Sequence, residues 1–473
     1  MERLSGLDAS FLYMESPAHP MHTLKLLVLE PTTAELEGSL HDRLHANLAA
    51  RLDLLPPLRR RLLGVPLGLH HPLWIEDPSF DLSAHLRRAQ VPAPGSRAQL
   101  DGIVAEIAAE PLDRRRPLWE IWSLEGLEHD RVAILVKIHH AVADGMAVAA
   151  LLANVMTPER EPSDRTPWAP DRVPSPAELL ADAAVDHARL LARLPGLAVR
   201  TARRGLALAW SRRGASVRTP WPILDTPPTS FNGALTGARA FATASLPLSD
   251  AKTIKAHFGV TLNDVVLAIV AGALRRYLDA RGELPTRSLV ASVPTASGAH
   301  DGAPRLTGNR VSSLFTSLAT HVADPVERLR AIHAVTVEAK ELQHALGTEL
   351  LGDWAAYSAP GAVSWALRQW NDRRLADVFP APINLIVSNV PGPHAPLSVP
   401  GHRLLAIYSV GPVLEGIGLN ITAWSYQGEL HVGILACRDM VPEPHLIADG
   451  LTVALGELLA RAEEAPVTAG PPT

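Results

Sequence analysis

The part of this sequence best suited to chemistry is the run His-His-Ala-Val-Ala-Asp-Gly at positions 139–145. Histidine is the natural general base near pH 7, because its ordinary pKa is about 6.5. A positioned His140 could take the proton of an alcohol as the hydroxyl oxygen attacks a thioester carbonyl, so no nucleophilic side chain would be needed. The sequence has no Gly-x-Ser-x-Gly motif, and Cys437 has no recognisable catalytic partner, which favours direct transfer by elimination.

The residues before this run predict a β-strand that would position it. Arg131–His140 is rich in β-branched residues, and alternation places His140 at the end of an aliphatic face, with Lys137 and His139 on the opposite face. We therefore expect His140 at a strand exit, where loops commonly meet substrates. A helix is predicted to follow over Met146–Met156.

Asp144 lies at the turn into that helix, and its role stays open. It could be the N-cap of the helix, it could shape the site, or it could do both. His139 could likewise be a strand residue without chemistry. Adjacent strand residues point to opposite faces, so His139 and His140 cannot readily bind one ion, and no metal site is expected.

The composition indicates an ordinary globular protein. The chain has 473 residues with a formal net charge of -5, which argues against a nucleic-acid-binding protein. Cys437 is the only cysteine, so neither an intrachain disulfide nor a cysteine-ligated zinc site is expected, and the protein reads as cytoplasmic. Residues 1–13 do not resemble a signal peptide, and no transmembrane span is expected, although attachment to a membrane surface stays open.

Two proline-rich segments, at 158–176 and 220–228, divide the chain. We predict an N-terminal domain over 1–157, a linker with an arginine-rich crossover helix over 158–229, a C-terminal domain over 230–465 and a flexible tail over 466–473. Both domains mix predicted strands and helices, which is typical of two α/β or α+β sandwiches. The predicted helices include 34–52, 97–109, 262–280, 325–346 and 444–460, and the predicted strands include 22–30, 240–247, 288–294, 311–318, 383–389, 404–410, 419–424 and 429–436.

The crossover segment opens with Ser-Pro-Ala-Glu at 175–178, a capping box with proline at the first helical position. The helix is expected to reach about Arg193 and to be interrupted at Pro195-Gly196. Between residues 189 and 218 there are eight arginines and no acidic residue. This pattern fits a basic amphipathic surface for anionic lipid, or a solvated helix whose arginines pair with acids elsewhere.

The 139–145 run resembles the His-His-x-x-x-Asp-Gly signature of the coenzyme A-dependent acyltransferase superfamily, which includes chloramphenicol acetyltransferase and peptide-synthetase condensation domains. Four further segments resemble the bacterial wax ester synthase/acyl-CoA:diacylglycerol acyltransferase family. They are the opening segment 4–22, the Pro-Leu-Trp segment 112–120, Asn263-Asp264, and Ser-Asn-Val-Pro-Gly-Pro at 388–393. The matches run in family order from about residue 4 to about residue 460.

This resemblance implies two similar chloramphenicol-acetyltransferase-like domains with an active-site tunnel between them. His140 would be the base, in a catalytic loop with His139 and Gly145, and Asp144 would hold that loop by pairing with an arginine. Acyl-CoA would be a substrate, with no cofactor, and diacylglycerol or a fatty alcohol would be the acceptor. The protein would work at the surface of the inner membrane or of lipid droplets without spanning a bilayer.

The resemblance also implies substrate-binding residues outside this loop. Asn263 could donate a hydrogen bond to a developing oxyanion or could cap its helix. The Pro-Gly-Pro turn could contact a ligand or form a structural corner. The full predicted set is Glu15, Asn263, Asp264, Asn389, Pro391 and Gly392, with Glu15 lining the entrance; Trp119 is expected to pack in the core.

The sequence departs from the family at two places. After Val293-Pro294 the family usually has an arginine, whereas this chain has Thr-Ala-Ser-Gly. Where the family has Leu-Pro-Thr, this chain has Leu318-Ala319-Thr320. The missing arginine could alter coenzyme A affinity or acyl choice. Other functions stay open: esterification of another lipid or secondary-metabolite alcohol, hydrolysis with water as acceptor, or a non-catalytic lipid-binding or droplet protein on the same fold.

Overall fold

The computed structural model describes residues 1–32, 38–156, 170–214, 217–296, 305–309, 311–346, 350–393, 396–399 and 401–464. The strands assigned there are β1 (Glu2–Arg3), β2 (His22–Pro31), β3 (Arg60–Leu63), β4 (Leu73–Glu76), β5 (Leu86–Gln90), β6 (Trp119–Glu125), β7 (Val132–His139), β8 (Arg239–Pro247), β9 (Val290–Ala296), β10 (Val311–Ser317), β11 (Leu385–Pro391), β12 (Ser398–Val399), β13 (His402–Val410), β14 (Leu419–Tyr426) and β15 (Glu429–Cys437). The α-helices are α1 (Gly6–Met14), α2 (Leu40–Ala49), α3 (Arg97–Ala109), α4 (Gly145–Met156), α5 (Pro176–Gly214), α6 (Leu248–Phe258), α7 (Leu262–Ala280), α8 (Pro325–Leu346), α9 (Leu350–Ala355), α10 (Pro360–Asp372) and α11 (Pro444–Glu464).

A six-stranded sheet carries the His-His run, in the order β12-β13-β2-β7-β6-β5. β7 lies inside this sheet, antiparallel to β2 on one side and to β6 on the other. Its side chains are aliphatic on both faces because both faces are covered. Val136 packs in a cluster with residues of α1, α2 and α4, whereas Leu135 packs with residues of α3 on the other face.

Two strands of this sheet come from the C-terminal part of the chain. β13 pairs antiparallel with β2, with His402 opposite Pro31 and Val410 opposite Leu24, and β12 extends the edge. The predicted boundary at residue 229 does not foresee this exchange. It occurs because β2 would otherwise present an unpaired ladder edge, which β13 covers.

The second six-stranded sheet has the order β10-β9-β11-β14-β15-β8. α7 and α11 pack against it and against each other, and most residues of α7 are buried in this core. β11 is parallel to β14 and β9, so the Pro-Gly-Pro turn leaves the sheet at the carboxyl end of β11. No single described helix is long and apolar enough to span a bilayer. Among the described helices, α6 and α7 taken together have the length and composition of a span, but they are bent by 108° at their junction.

The connecting helix α5 begins where the sequence predicts and ends much later. The Glu178 carboxylate accepts from the Ser175 backbone N–H at 2.7 Å, which confirms the predicted capping box. The expected interruption at Pro195-Gly196 is wrong, since one 39-residue helix continues through Pro195. Proline removes a backbone donor and crowds the carbonyl one turn earlier, but Leu197, which is 1% exposed, anchors the helix immediately afterwards.

Candidate active site

His140 directly follows strand β7 and lies at the boundary between the two halves of the chain. The backbone N–H of His140 donates to the Met21 carbonyl at 2.7 Å, which extends the ladder one residue beyond β7. Its carbonyl accepts from the Asn309 amide at 2.7 Å. The partly exposed imidazole stacks on Phe11, with ring centroids 4.3 Å apart. Elements from both halves therefore fix the orientation of His140.

The surroundings of His140 favour its neutral form. Burial lowers the pKa of His140 to about 4; the Asp144 carboxylate acts against this shift, and the Lys25 ammonium adds to it. The ring nitrogen Nδ1 has no hydrogen-bond partner within the described residues. At neutral pH the imidazole is therefore unprotonated and able to accept a proton.

Asp144 combines the two roles that its position suggested. One carboxylate oxygen accepts from the Ala147 N–H at 3.0 Å, which caps α4. The other pairs with the guanidinium of Arg305, so the arginine expected beside Asp144 is present, and it comes from the C-terminal half. The contact orients the loop and brings a negative charge to the site.

The segment 305–309 is bound to the histidine loop along its backbone as well. The Gly308 N–H donates to the Val142 carbonyl at 2.8 Å, and the Asp144 N–H donates to the Gly308 carbonyl at 3.3 Å. Arg305 donates to the Thr307 carbonyl at 2.6 Å, which closes the turn. The loop geometry thus depends on residues far away in the sequence.

His139 points to the opposite side and belongs to a buried network. Its Nδ1 accepts from the Ala141 N–H at 3.0 Å, so the ring proton lies on Nε2, 3.4 Å from the Glu15 carboxylate. Burial raises the pKa of Glu15, but His139 and Arg114 outweigh it and lower the value to about 2. Glu15 also accepts from the Met21 N–H at 3.3 Å. These contacts favour a role for His139 and Glu15 in holding the loop.

The two residues of the Asn-Asp motif have different surroundings: Asp264 is bound within the structure, and Asn263 is accessible to a ligand. Thr261 caps α7, so the interpretation of Asn263 as the cap is wrong, and its side chain is partly exposed. The fully buried Asp264 carboxylate accepts from Thr261, from His333 at 2.7 Å and from Thr336 at 2.6 Å. Asp264 thereby ties α7 to α8, while the Asn263 amide stays available for a ligand.

The Pro-Gly-Pro turn lies beside the histidine loop. A Cβ on Gly392 would overlap the Ser425 carbonyl oxygen and would lie 2.5 Å from the Trp424 indole nitrogen, so only glycine fits. A Cβ on Gly145 would meet Val390 at 3.6 Å, an ordinary contact distance that places the start of α4 against β11. These contacts support the structural-corner interpretation of the turn.

Two other predicted residues of this segment lie on its outer part. Asn389 is partly exposed on β11, and Pro391 is exposed at the end of that strand.

Trp119, expected in the core, is 1% exposed, and its indole N–H donates to the Leu58 carbonyl at 2.7 Å. The residues around Thr295 that stand in place of the missing arginine lie partly outside the described residues, which end at 296 and resume at 305.

Sequence reasoning missed four residues around the base. Arg305 and Asn309 are more than 160 positions away from their partners in the histidine loop. Asp8, which accepts from Asn309 at 2.6 Å, lies in the opening segment, and Phe11 follows it one helical turn later. Only the resemblance of the opening segment indicated that this part of the chain mattered.

The chain has the fold of the peptide-synthetase condensation domains. The starter condensation domain of rhizomide synthetase is 15% identical, covers 99% of this chain and 96% of its own, and superposes with a TM-score of 0.54. At that identity the likeness shows the fold alone.

The chain belongs to the wax ester synthase/diacylglycerol acyltransferase family and is an acyltransferase. The model of the family's catalytic domain matches residues 4–266, and that of its C-terminal domain matches residues 307–459. A wax ester synthase/diacylglycerol acyltransferase from Marinobacter aquaeolei VT8 is 26% identical, covers 98% of this chain and all of its own, and superposes with a TM-score of 0.68.

Two relatives from Mycobacterium tuberculosis are provisionally named diacylglycerol O-acyltransferases. One is 39% identical over 98% of this chain and 92% of its own length. The other is 41% identical over 95% of this chain and 94% of its own length. The relationship therefore extends over nearly the whole chain rather than over one domain.

Proposed function

We propose that this protein transfers a long-chain acyl group from acyl-CoA to the hydroxyl of diacylglycerol or a fatty alcohol, giving triacylglycerol or wax ester. The observation that carries the proposal is the neutral, partly exposed imidazole of His140, held between the two halves of the chain. The wax ester synthase/diacylglycerol acyltransferase relatives support the choice of substrates.

In the proposed reaction His140 acts as general base and then as general acid. The imidazole takes the hydroxyl proton as the acceptor oxygen bonds to the thioester carbonyl carbon. The tetrahedral intermediate then expels the coenzyme A sulfur as the carbon–sulfur bond breaks. The imidazolium returns its proton to that thiolate, so the products are the ester and free coenzyme A. This sequence needs neither an acyl-enzyme nor a cofactor.

Asp144 and Asn263 take supporting roles in this reaction. Asp144 is held by Arg305, so its carboxylate is fixed where it can favour the imidazolium that forms during transfer. Asn263, whose side chain is partly exposed at the start of α7, is the candidate donor to the oxyanion. One such donor typically contributes about 10²–10³-fold to kcat.

The test is coenzyme A release from palmitoyl-CoA with hexadecanol, with dioleoylglycerol or with no acceptor, using wild-type protein and His140→Ala. Acceptor-dependent release that His140→Ala reduces by at least about 10²-fold supports the proposal. Release without any acceptor indicates a thioesterase. A folded His140→Ala variant with wild-type turnover refutes His140 as the base. No release from folded wild-type protein refutes these substrates, and points to another alcohol or to non-catalytic lipid binding.

We further propose that α5 attaches the protein to an anionic lipid surface at the membrane or the lipid droplet. Three large apolar side chains between the middle and the end of α5 are strongly exposed: Leu191, Leu206 and Trp210. They alternate with arginines, of which Arg200 pairs with Asp353 at 3.1 Å. An apolar stripe beside basic residues is the composition of an interfacial helix.

Flotation with vesicles of phosphatidylglycerol and phosphatidylcholine tests this surface. We expect binding to phosphatidylglycerol vesicles that falls at high salt and is lost in the double variant Leu206→Glu/Trp210→Glu. Leu446→Glu, on an exposed position of α11, is the matched control and should bind as wild type does. Equal binding by the α5 variant and wild type contradicts the proposal.

A further inference from the structure

A lysine buried beside the candidate base has no place in the reaction above. Lys25 lies on β2 and is 1% exposed. Its ammonium donates to the Thr23 hydroxyl at 2.7 Å and to the Leu24 carbonyl at 3.4 Å, and lies 5.8 Å from the ring centroid of Trp424. Within the described part of the chain no carboxylate oxygen lies within 4.0 Å of it. Burial lowers the pKa of Lys25 to about 7, and the Asp144 carboxylate acts against this shift, so the side chain is a cation below about pH 7. Burying such a group is costly, whereas methionine would fill a similar volume.

The strand register places Lys25 on the face of the sheet that carries His140. In the antiparallel ladder Thr23 is opposite Ile138 and Lys25 is opposite Val136. Residues opposite each other share a face, and alternate residues along one strand do so too, so His140 belongs to this face. The bond to Thr23 shows that the lysine side chain runs along β2 toward the His140 end.

The spacing along the strand sets the scale of the electrostatic effect. His140 is level with Met21 in the ladder, since the Met21 carbonyl accepts from the His140 N–H. Thr23 is two residues away from Met21 along the chain, which is about 7 Å at the usual strand rise. The ammonium at Thr23 is therefore close enough for its charge to act on the imidazole.

Charged and titratable groups reach His140 from several elements. Asp144 and His139 act from its own segment, and Lys25 acts from β2. Arg305 reaches the site from the C-terminal half through its pair with Asp144, and Glu15 reaches it from the end of α1 through His139. Among these groups, Lys25 is the cation that directly disfavours protonation of His140 without being neutralised by a carboxylate.

We propose that Lys25 is a positioning residue for the reaction: its buried ammonium adds to the effect of burial and extends to lower pH the range in which His140 stays unprotonated and can accept the proton of the acceptor hydroxyl. This inference rests on the proposed role of His140 as the base. Lys25 does not contact the substrates, since it is sealed from solvent between β2 and Trp424. Its effect passes through the charge that the imidazole experiences.

The test compares the pH dependence of kcat/KM in wild type, Lys25→Met and Lys137→Met. Without the ammonium, His140 holds a proton to higher pH, so the acidic limb of Lys25→Met should move up by about 0.9–1.7 pH units. That range follows from two charges about 7 Å apart at an effective dielectric constant of about 20–40. Lys137 is the matched control, because it is equally buried, lies on the opposite face of β7 and contacts Glu120 at 3.7 Å. Its variant should leave the limb unmoved.

Each outcome decides for or against the proposal. A limb that stays in place in folded Lys25→Met, or moves equally in Lys137→Met, refutes it while leaving the base assignment intact, since that depends on His140→Ala. If Lys25→Met does not fold, Lys25→Gln retains a donor to Thr23 and takes its place.

Discussion

Breaking the contact between Asp144 and Arg305 should loosen the histidine loop, and the structure sets the size of the effect. Asp144→Asn removes the charge but keeps an oxygen that can accept from the Ala147 N–H, so the cap of α4 survives. The side chains of the pair are 4% and 28% exposed, so its energy lies between that of exposed pairs, about 0.2–1 kcal/mol, and that of fully buried ones, about 3–5 kcal/mol. We expect a loss of about 1–3 kcal/mol in the free energy of unfolding.

The effect on turnover should exceed the effect on binding. Losing the Asp144 carboxylate lowers the pKa of His140 further and so weakens the base. It also frees a loop that must hold the imidazole to within about 1 Å, and a displacement of that size can cost about 10²-fold. We therefore expect kcat to fall by about 10–10²-fold, with KM for acyl-CoA changed by less than about threefold.

A double-mutant cycle with Arg305→Gln measures the coupling. Urea unfolding at pH 7 and thiol release from acyl-CoA should both show that the double variant is less impaired than the sum of the single variants. Glu30→Gln, which removes an exposed pair with Arg403 at 2.7 Å, is the control and should leave the free energy of unfolding close to that of wild type. Additivity of the Asp144 and Arg305 variants within about 0.5 kcal/mol would refute the reasoning.

Three further results are expected. Burial lowers the pKa of His19, His140 and His431 to about 4; between pH 6.5 and 4 only the unfolded chain binds these protons, so stability should fall by up to about 1.4 kcal/mol per histidine per pH unit. An equal urea midpoint at pH 7 and pH 5 would contradict this. Asp264→Ala should lower the free energy of unfolding in urea by about 2–4 kcal/mol, because it leaves buried donors unpaired. It should change KM for acyl-CoA by less than about twofold. Wild-type stability of this variant would show that the contacts are dispensable. Asn263→Ala should show the reverse, with kcat reduced about 10²-fold and stability within about 0.5 kcal/mol of wild type; unchanged kcat would exclude it as the oxyanion donor.

Strong local signals were enough to predict several elements. The bounds of α3, α7 and α8 coincide with the predicted helices, because each has helical periodicity and follows a capping residue, namely Ser96, Thr261 or Asp324. β5 was missed: its sequence, Leu-Arg-Arg-Ala-Gln, has no strand pattern of its own, and it forms because β6 offers a parallel partner. The predicted helix at 34–52 begins within 33–37, outside the described residues, and α2 is described from Leu40 to Ala49.

The candidate site shows the same division between local and distant information. His140 and Asp144 could be identified because one strand, one loop and one helix lie within a short stretch of sequence. Arg305 and Asn309 could not, since no periodicity relates them to a loop more than 160 positions earlier. The burial of Lys25 could not be predicted either, because lysine is almost never fully buried in proteins.

The strand exchange limits how this molecule can open to admit two bulky substrates. β13 is hydrogen-bonded to β2 from His402 to Val410, so pulling the halves apart would break a β-ladder. Substrate passage must therefore depend on side-chain and loop movement rather than on rigid separation of two bodies. The same ladder would hold the halves together after a cut between residues 156 and 170. Fragments 1–156 and 170–473, expressed together, should assemble as a complementing pair, whereas the first fragment alone would expose the unpaired edge of β2.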